Sequence, residues 1–557
     1  QHFPFVHDAT VAPPVVYFDY IIIGGGTAGC PLAATLSQNA TVLVLERGGS
    51  PYRDFNITNV GNFGSTISDT SPHSASQIFI SEDGVYNTRA RVLGGGSAIN
   101  AGFYSHAEPE FVRDAGWDED LVRRSYDWVE SKVAFEPQVK QWQSAVRDAL
   151  VEIGVLPYNG FTYNHVDGTK IGGTIFDDQG HRHTAADLLE YANPLTVKVY
   201  LHATVSRILF TNKAGRQWPK PRAYGVVFED ALGIRKRAFL RPNPQNEVIL
   251  TAGALGSPQL MMLSGIGPAL HLKSHGIHVV LDQPNVGQGM ADNPMNLLYV
   301  PSPVPVEISL IQVVGIPSNQ NTYISGKPSS LTAETMARAI DTVHAYAANT
   351  SLKGGVILEK VRGPLSSGDL KLRSRSPRDN PAVTFNYFKD PQDLRGCVEG
   401  MRSIINLINA PSFARLRYAH LPVQALVDLM LNLPVNLRPR HVSSSISLEQ
   451  FCIDTVMTIW HYHGGCQVGK VVDQDYRVVG VDGLRVIDGS TFLKSPGTNP
   501  QATVMMLGRY MGTRILQGRP PVNWRRLQGR FPASWRRRPW LSHIPRKNMQ
   551  GGEKIKP

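Results

Sequence analysis

Residues 458–469 read TIWHYHGGCQVG, placing Trp460, His461, Tyr462 and His463 side by side ahead of Gly464 and Gly465. Neither a helical stripe nor strand alternation runs through this stretch, so core packing alone does not explain it. Histidine is the side chain that moves protons most readily near neutral pH. Glycine lets a backbone come close to a ligand. The stretch therefore reads as a proton-transfer site with a ligand against it, His461 and His463 being the two candidate bases. A histidine can also be a structural residue bonded to backbone, and that is the reading preferred for His463.

Such a site needs a scaffold, and the N-terminal third supplies a recognisable one. DYIII at 19–23 reads as a buried parallel strand, short, apolar and β-branched. GGGTAG follows, then a helix over 28–37 with Ala28, Ala33 and Ala34 toward the strand, then a second buried strand TVLVL at 41–45 that ends at Glu46. Gly24, Gly26 and Gly29 have G-x-G-x-x-G spacing, and an acid follows about twenty residues later. In that context the first glycine makes the turn, the second admits a pyrophosphate, and the third packs helix on sheet. The helix N-terminus then faces the phosphate charge, and Glu46 is placed to accept a ribose hydroxyl. Two further glycine clusters, RARVLGGGSAIN at 89–100 and AGALGSPQLMMLSGIGP at 252–268, extend the pattern. NVGQGMADNP at 285–294 reads as a loop. Residues 295–450 read as irregular apolar segments with one amphipathic helix near 392–409, a domain inserted between cofactor-binding pieces.

With 557 residues, two or more domains are expected. No run approaches the roughly 18 apolar residues of a membrane span. The formal charge of +11 invites a nucleic-acid reading, but residues 519–557 hold eleven Lys and Arg against Glu553 alone. The body is close to neutral, so no nucleic-acid partner is expected. The tail, with Trp524, Phe531, Trp535 and Trp540 interleaved, reads as a disordered extension rather than a strip for membrane or nucleic acid, and names no partner. Cys30 and Cys466 sit inside glycine-rich motifs, and Cys466 reads as packing behind the site. Cys397 and Cys452 are the spare pair, either bridged in an oxidising compartment or two buried thiols. The sequons at Asn39, Asn56 and Asn349 and the opening at Gln1, which resembles a processed terminus, suggest a secreted glycoprotein.

Five motifs in order resemble the glucose–methanol–choline (GMC) oxidoreductases, a family of FAD enzymes. They are DYIIIGGGTAGCPLAATLS, VLERGG, RVLGGGSAIN, GALGSPQLMMLSGIG, and one C-terminal block that runs from HYHGGC to VIDGSTFLKSPGTNPQAT. The resemblance runs from about residue 17 to 517 and is strongest to the plant branch holding mandelonitrile lyases and HOTHEAD-type proteins, most of all the latter. It implies an α/β, Rossmann-like FAD-binding domain of GMC type plus an α+β substrate domain whose sheet faces the flavin. The FAD-binding domain is expected from 17–105, 196–285 and 456–517, the substrate domain from 286–455, with 106–195 mixed and 518–557 a tail.

Carried over by motif, Thr27 and Ala28 are expected at the pyrophosphate, and Glu46 and Arg47 near the adenosine ribose. Val92, Gly96 and the run Asn100, Ala101, Gly102 and Phe103 would line the diphosphate and flavin. Val205 would meet the adenine side, and Trp460, Gly489, Pro500 and Gln501 the isoalloxazine. The resemblance makes His461 the base for an alcohol oxidised by hydride transfer to flavin N5. Asn499 stands at the second catalytic position, where the family has His or Asn. An amide holds a substrate oxygen by hydrogen bonds but supplies neither proton nor positive charge. Asn499 therefore favours alcohol oxidation over the alternative, a hydroxynitrile lyase keeping FAD structurally. Ile99 stands where some members bond FAD through a His, so non-covalent FAD is expected. HOTHEAD-type relatives imply long-chain ω-hydroxy fatty acids as substrates. No metal is called for.

Overall fold

The computed structural model describes residues 3–211, 219–318, 322–329, 353–441 and 446–519. The Asn349 sequon and the tail from 520 onward lie outside the described residues.

Parallel strands without polar alternation must be covered on both faces. Tyr20–Ile23, Val42–Leu45 and Glu247–Leu250 are buried at every position. They form the centre of a six-stranded parallel sheet in the order Val6–Asp8, Val197–Leu201, Val42–Leu45, Tyr20–Ile23, Glu247–Leu250, Leu484–Val486. Strands far apart in sequence thus share one layer. The helix Gly29–Leu36 packs on it and is itself buried throughout. The helix Gln501–Gln517 covers its outer side, close enough that a Cβ on Gly508 would lie 2.3 Å from the Ala28 carbonyl oxygen. The chain end that follows Asn499 is thereby clamped to the first helix of the molecule.

A seven-stranded sheet runs in the order Met457–Thr458, Pro294–Pro301, Gly354–Val361, Thr322–Ser329, Val313–Ile316, Gly168–Ile171, Tyr158–Phe161. It is antiparallel except for its last pair. The expected irregular 295–450 segment is corrected here. It carries three eight-residue strands, Pro294–Pro301, Thr322–Ser329 and Gly354–Val361, and every residue of the last is buried, Glu359 and Lys360 included. A strand buried on both faces shows no alternation to read, and its charged pair disguised it further. The sheet also recruits 158–171, so the insert does not close on itself. The 285–294 loop contains a short strand, Gln288–Met290, paired with Gly368–Lys371.

The helix Pro391–Asn409 starts at an Asp390 N-cap, as the amphipathic pattern predicted to within a residue or so. Cys397 on it is disulfide-bonded to Cys452 on Leu448–Thr455. That bridge resolves the two open readings of the pair and braces the segment just before the Met457–Thr458 strand. Cys30 and Cys466 are buried free thiols. Among the described residues no helix is long and apolar enough to cross a membrane.

Candidate active site

The end of the Tyr20–Ile23 strand opens a cradle. Gly24 has φ +104°, and a Cβ there would lie 2.6 Å from the Thr251 carbonyl oxygen. A Cβ on Gly29 would lie 2.0 Å from the Gly24 carbonyl oxygen. These two glycines serve turn and packing. Gly26 is different: its Cβ would meet nothing closer than Gly95 Cα at 3.6 Å. On Gly489 it would meet nothing within 4 Å. Both border a long cavity whose empty space is about 1410 Å³, open solvent at its mouth included.

Of the residues expected at a cofactor, Gly24, Gly26, Thr27, Ala28, Glu46, Arg47, Val92, Gly96, Val205, Trp460, Gly489 and Pro500 line this cavity, and His461 lines it too. Gly29, Asn100, Ala101, Gly102, Phe103, Asn499 and Gln501 do not. Gly29 is consumed by helix packing. Asn100, Phe103 and Gln501 form a layer behind the wall: Gln501 Nε2 donates to the Phe103 carbonyl at 2.6 Å, and Asn100 Nδ2 to Gln501 Oε1 at 2.9 Å. Asn100 Oδ1 also caps Gly102 N at 2.9 Å, and Ala101 packs beside Phe103. The buried Arg182, which the sequence did not single out, ties this layer down by donating to the Asn100 carbonyl at 2.7 Å.

Glu46 accepts from Gly25 N at 2.9 Å through one oxygen and from Gly48 N at 2.7 Å through the other. Burial pushes its carboxyl up despite those bonds. Each oxygen keeps a second lone pair for a ligand hydroxyl. Arg47 donates to Gln77 Oε1 at 2.7 Å and to the Ala90 carbonyl at 2.8 Å, which fixes the neighbouring hairpin. At the cavity's far side Asp488 accepts from Gly253 N at 3.0 Å, Ser257 Oγ at 2.5 Å and Ser490 N at 2.8 Å, so it locks the turn bearing Gly489.

Asn499 Nδ2 donates to His461 Nε2 across 3.1 Å. These residues are 38 apart in sequence, and the structure brings them together. Burial, the Lys360 ammonium and neighbouring His463 drive the His461 imidazole well below its ordinary range. The ring is therefore neutral at pH 7, with Nε2 as its accepting nitrogen, rather than poised near neutrality as a typical surface histidine is. His461 Nδ1 and His463 Nε2 are buried without a protein partner, while His463 Nδ1 lies 3.0 Å from the His461 carbonyl oxygen. His463 also lines the cavity.

Gly464 and Gly465 do not approach a ligand, contrary to the expectation from their place. At φ +90°, a Cβ on Gly464 would lie 2.0 Å from the Gly289 carbonyl oxygen. The pair lets the histidine turn pack on the 287–291 backbone, where Ala291 and His463 exchange hydrogen bonds of 3.0 and 2.8 Å. Two side chains there went unread. Asp292 sat in a loop-like ADNP run, and Lys360 in an apolar strand. Asp292 accepts from His461 N at 3.1 Å and Thr458 Oγ1 at 2.6 Å. Cys466 is wholly buried and burial pushes its thiol up, as expected of a packing residue.

These residues fit an FAD. Glycine-lined walls leave room for a phosphate and a ring, a helix N-terminus and Glu46 would serve the diphosphate and ribose, and two histidines with unpartnered nitrogens line the same cavity.

Residues 18–295 and 364–508 match the GMC oxidoreductase family. Over 531 residues the chain is 51% identical to Protein HOTHEAD of Arabidopsis thaliana, spanning 90% of this chain and 88% of that one. It is 43% identical to a sinalpyl alcohol oxidase of Nesocodon mauritianus, spanning 93% and 92%. It is 42% identical to (R)-mandelonitrile lyase 1 of Prunus serotina, spanning 92% and 90%. A solved formate oxidase shares the fold with a TM-score of 0.72 over 91% of this chain and 99% of that one, at 19% identity. Family match, fold and cofactor-shaped cavity agree: the chain belongs to the GMC oxidoreductases and is an FAD-dependent alcohol oxidoreductase.

Proposed function

We propose that the protein oxidises an alcohol to an aldehyde, with His461 as base and Asn499 holding the substrate oxygen. The observation that carries this reading is the 3.1 Å His461–Asn499 pair, whose histidine lines the cavity. Bound FAD supplies the acceptor for the substrate's hydride. His461 Nε2, kept neutral by burial and Lys360, takes the hydroxyl proton once the substrate oxygen displaces the Asn499 amide from its lone pair. The Asn499 amide donates to the same oxygen and orients the carbinol C–H. Buried walls around the pair exclude water.

Ile99, where a covalent link would form, is buried among Ile57, Val92 and Ala98 and has no group to bond a flavin. FAD is therefore read as non-covalent. We read 17–105, 196–285 and 456–517 as the FAD-binding pieces and 286–455 as the main substrate piece. The disulfide supports a secreted protein. For the substrate we put forward long-chain ω-hydroxy fatty acids, as HOTHEAD-type resemblance implies.

One observation favours the lyase alternative. Lys360 places a buried positive charge beside His461, so Asn499 does not leave the site without the field a departing cyanide needs. The test is anaerobic mixing of holoenzyme with an ω-hydroxy fatty acid and aromatic alcohols while flavin absorbance is followed, with mandelonitrile run alongside. Bleaching by an alcohol supports oxidation. Cyanide release over an unbleached flavin overturns it in favour of the lyase.

A further inference from the structure

Non-glycine residues in the left-handed region are uncommon, cost free energy, and persist only where the surroundings hold them. Among the described residues five do so: His202, Asn386, Phe388, Trp460 and Tyr476. Three of the five flank two segments that meet at one buried carboxylate. Trp460, at φ +61°, immediately precedes His461. Asn386 and Phe388, at +58° and +61°, bracket Tyr387.

The carboxylate is Asp292, 1% exposed. His461 N donates to its Oδ1 at 3.1 Å. Thr458 Oγ1 donates to Oδ2 at 2.6 Å and in turn accepts from Trp460 N at 2.8 Å. The Tyr387 hydroxyl donates to the same Oδ2. Asp83 fixes the approach of Tyr387 by accepting from Phe385 N at 2.7 Å and Asn386 N at 2.9 Å. Each of the three donors that reach Asp292 from afar thus comes from a segment that is strained or adjoins strain. The sequence separations of 95, 166 and 169 residues show that no local motif does this work. Of the titratable side chains around it, Tyr387 touches the carboxylate, and Tyr462 feels its charge from the histidine turn.

We propose that Asp292 is a positioning residue for the His461–Asn499 pair, clamping the Trp460–His461 turn to the Tyr387 segment so that the imidazole stays at hydrogen-bonding distance from the amide. It touches neither substrate nor flavin; it acts through the His461 backbone. This rests on the reading of His461 as the base. The physical argument is that a strained turn relaxes when its acceptor goes. A relaxing Trp460 rotates the next residue, and His461 carries its ring away from Asn499.

The test compares wild-type holoenzyme with Asp292→Asn and Tyr387→Phe. The first keeps an acceptor for His461 N but sets an NH2 where two hydroxyls now donate. The second removes one donor and leaves the charge. Amide exchange over 457–464 is read by mass spectrometry. We expect it to speed up at least tenfold in Asp292→Asn and less in Tyr387→Phe, while exchange over 20–46 and flavin content stay unchanged. With any alcohol that bleaches the flavin, kcat falls in the same order and KM holds. Wild-type exchange over 457–464 in both variants would overturn the proposal, as would a loss of protection spread evenly over the seven-stranded sheet. Should Asp292→Asn fail to fold, Tyr387→Phe carries the decision. His461→Ala run in parallel separates the two claims. Full flavin reduction in that variant sinks the base reading, whereas the exchange data judge Asp292 by themselves.

Discussion

The cradle around Gly24–Glu46 and the turn around His461 line one cavity and are built in opposite ways. The cradle is local. Strand, turn, helix and second strand follow one another, and its contacts are mostly backbone against backbone, admitted by glycines. The histidine turn is assembled from distance. Asp292, Tyr387 and Asn499 come from three separate stretches and hold it through side-chain hydrogen bonds, and Lys360 from a fourth sets its charge. Binding a constant cofactor is served by a rigid backbone motif. Placing a proton-transfer group against a substrate is served by side chains that can be changed one at a time.

The largest effects expected fall on the cradle. Gly29→Val puts a side chain where even a Cβ lies 2.0 Å from the Gly24 carbonyl oxygen. Helix and strand must part, so the variant should be insoluble or colourless on purification. Gly489→Ala is the control, because nothing lies within 4 Å of its Cβ. Its melting temperature should match wild type while flavin is lost more readily on dilution. If Gly29→Val is yellow and folded, the backbone-on-backbone account of the cradle is wrong.

Next in size is His461→Ala. Removing a positioned base typically costs 10²–10⁴-fold. Here we expect such a fall in flavin reduction with an unchanged flavin spectrum, since the cradle does not depend on the turn. A variant that loses both would show that the two regions are coupled more tightly than their construction indicates.

That contrast in construction also decides what could be read in advance. The cradle was legible to within a residue or two, since its glycine spacing, apolar strands and Glu46 lie within one short window. His461 was legible by residue type, and Asn499 only through the family motif. Asp292 and Lys360 were not legible. ADNP has the composition of any turn, and a lysine in GGVILEKV has no alternation around it to say which face it meets. Gly464 and Gly465 were seen but given the wrong neighbour, since a glycine's freedom does not say whether a ligand or a backbone takes the space. Side-chain networks spanning more than a hundred residues leave no periodic trace.

A smaller effect separates the two charges near the turn. Lys360 is buried and pushed down to about 7 by desolvation, yet below that pH its charge holds the His461 imidazole down. Lys360→Met should let the His461 pKa rise. The acid limb of the rate profile then moves to higher pH, and the rates of the two proteins converge above about pH 7, where wild-type Lys360 itself is neutral. Parallel profiles at every pH would show that Lys360 acts by packing alone.

The smallest effect concerns Asp292 and stability. Burial outweighs its hydrogen bonds and pushes its carboxyl up to about 6 from 3.8. A carboxyl whose folded pKa exceeds its unfolded value holds its proton more tightly when folded. Its contribution to stability is full below about 4 and is lost as pH rises through about 6. At pH 7 the ionised group therefore opposes folding, by about 1–3 kcal/mol at 1.36 kcal/mol per unit. The advantage in melting temperature of wild type over Asp292→Asn should be greatest near pH 4 and shrink toward pH 7, by a few degrees at most in a chain of this size. A gap independent of pH would mean that Asp292 keeps its proton at pH 7, so that Oδ2 donates to one of the Thr458 and Tyr387 hydroxyls while His461 N still donates to Oδ1. The cradle offers the internal comparison, because Glu46 is likewise pushed up by burial but is held by the backbone N–H groups of Gly25 and Gly48, which cannot reverse.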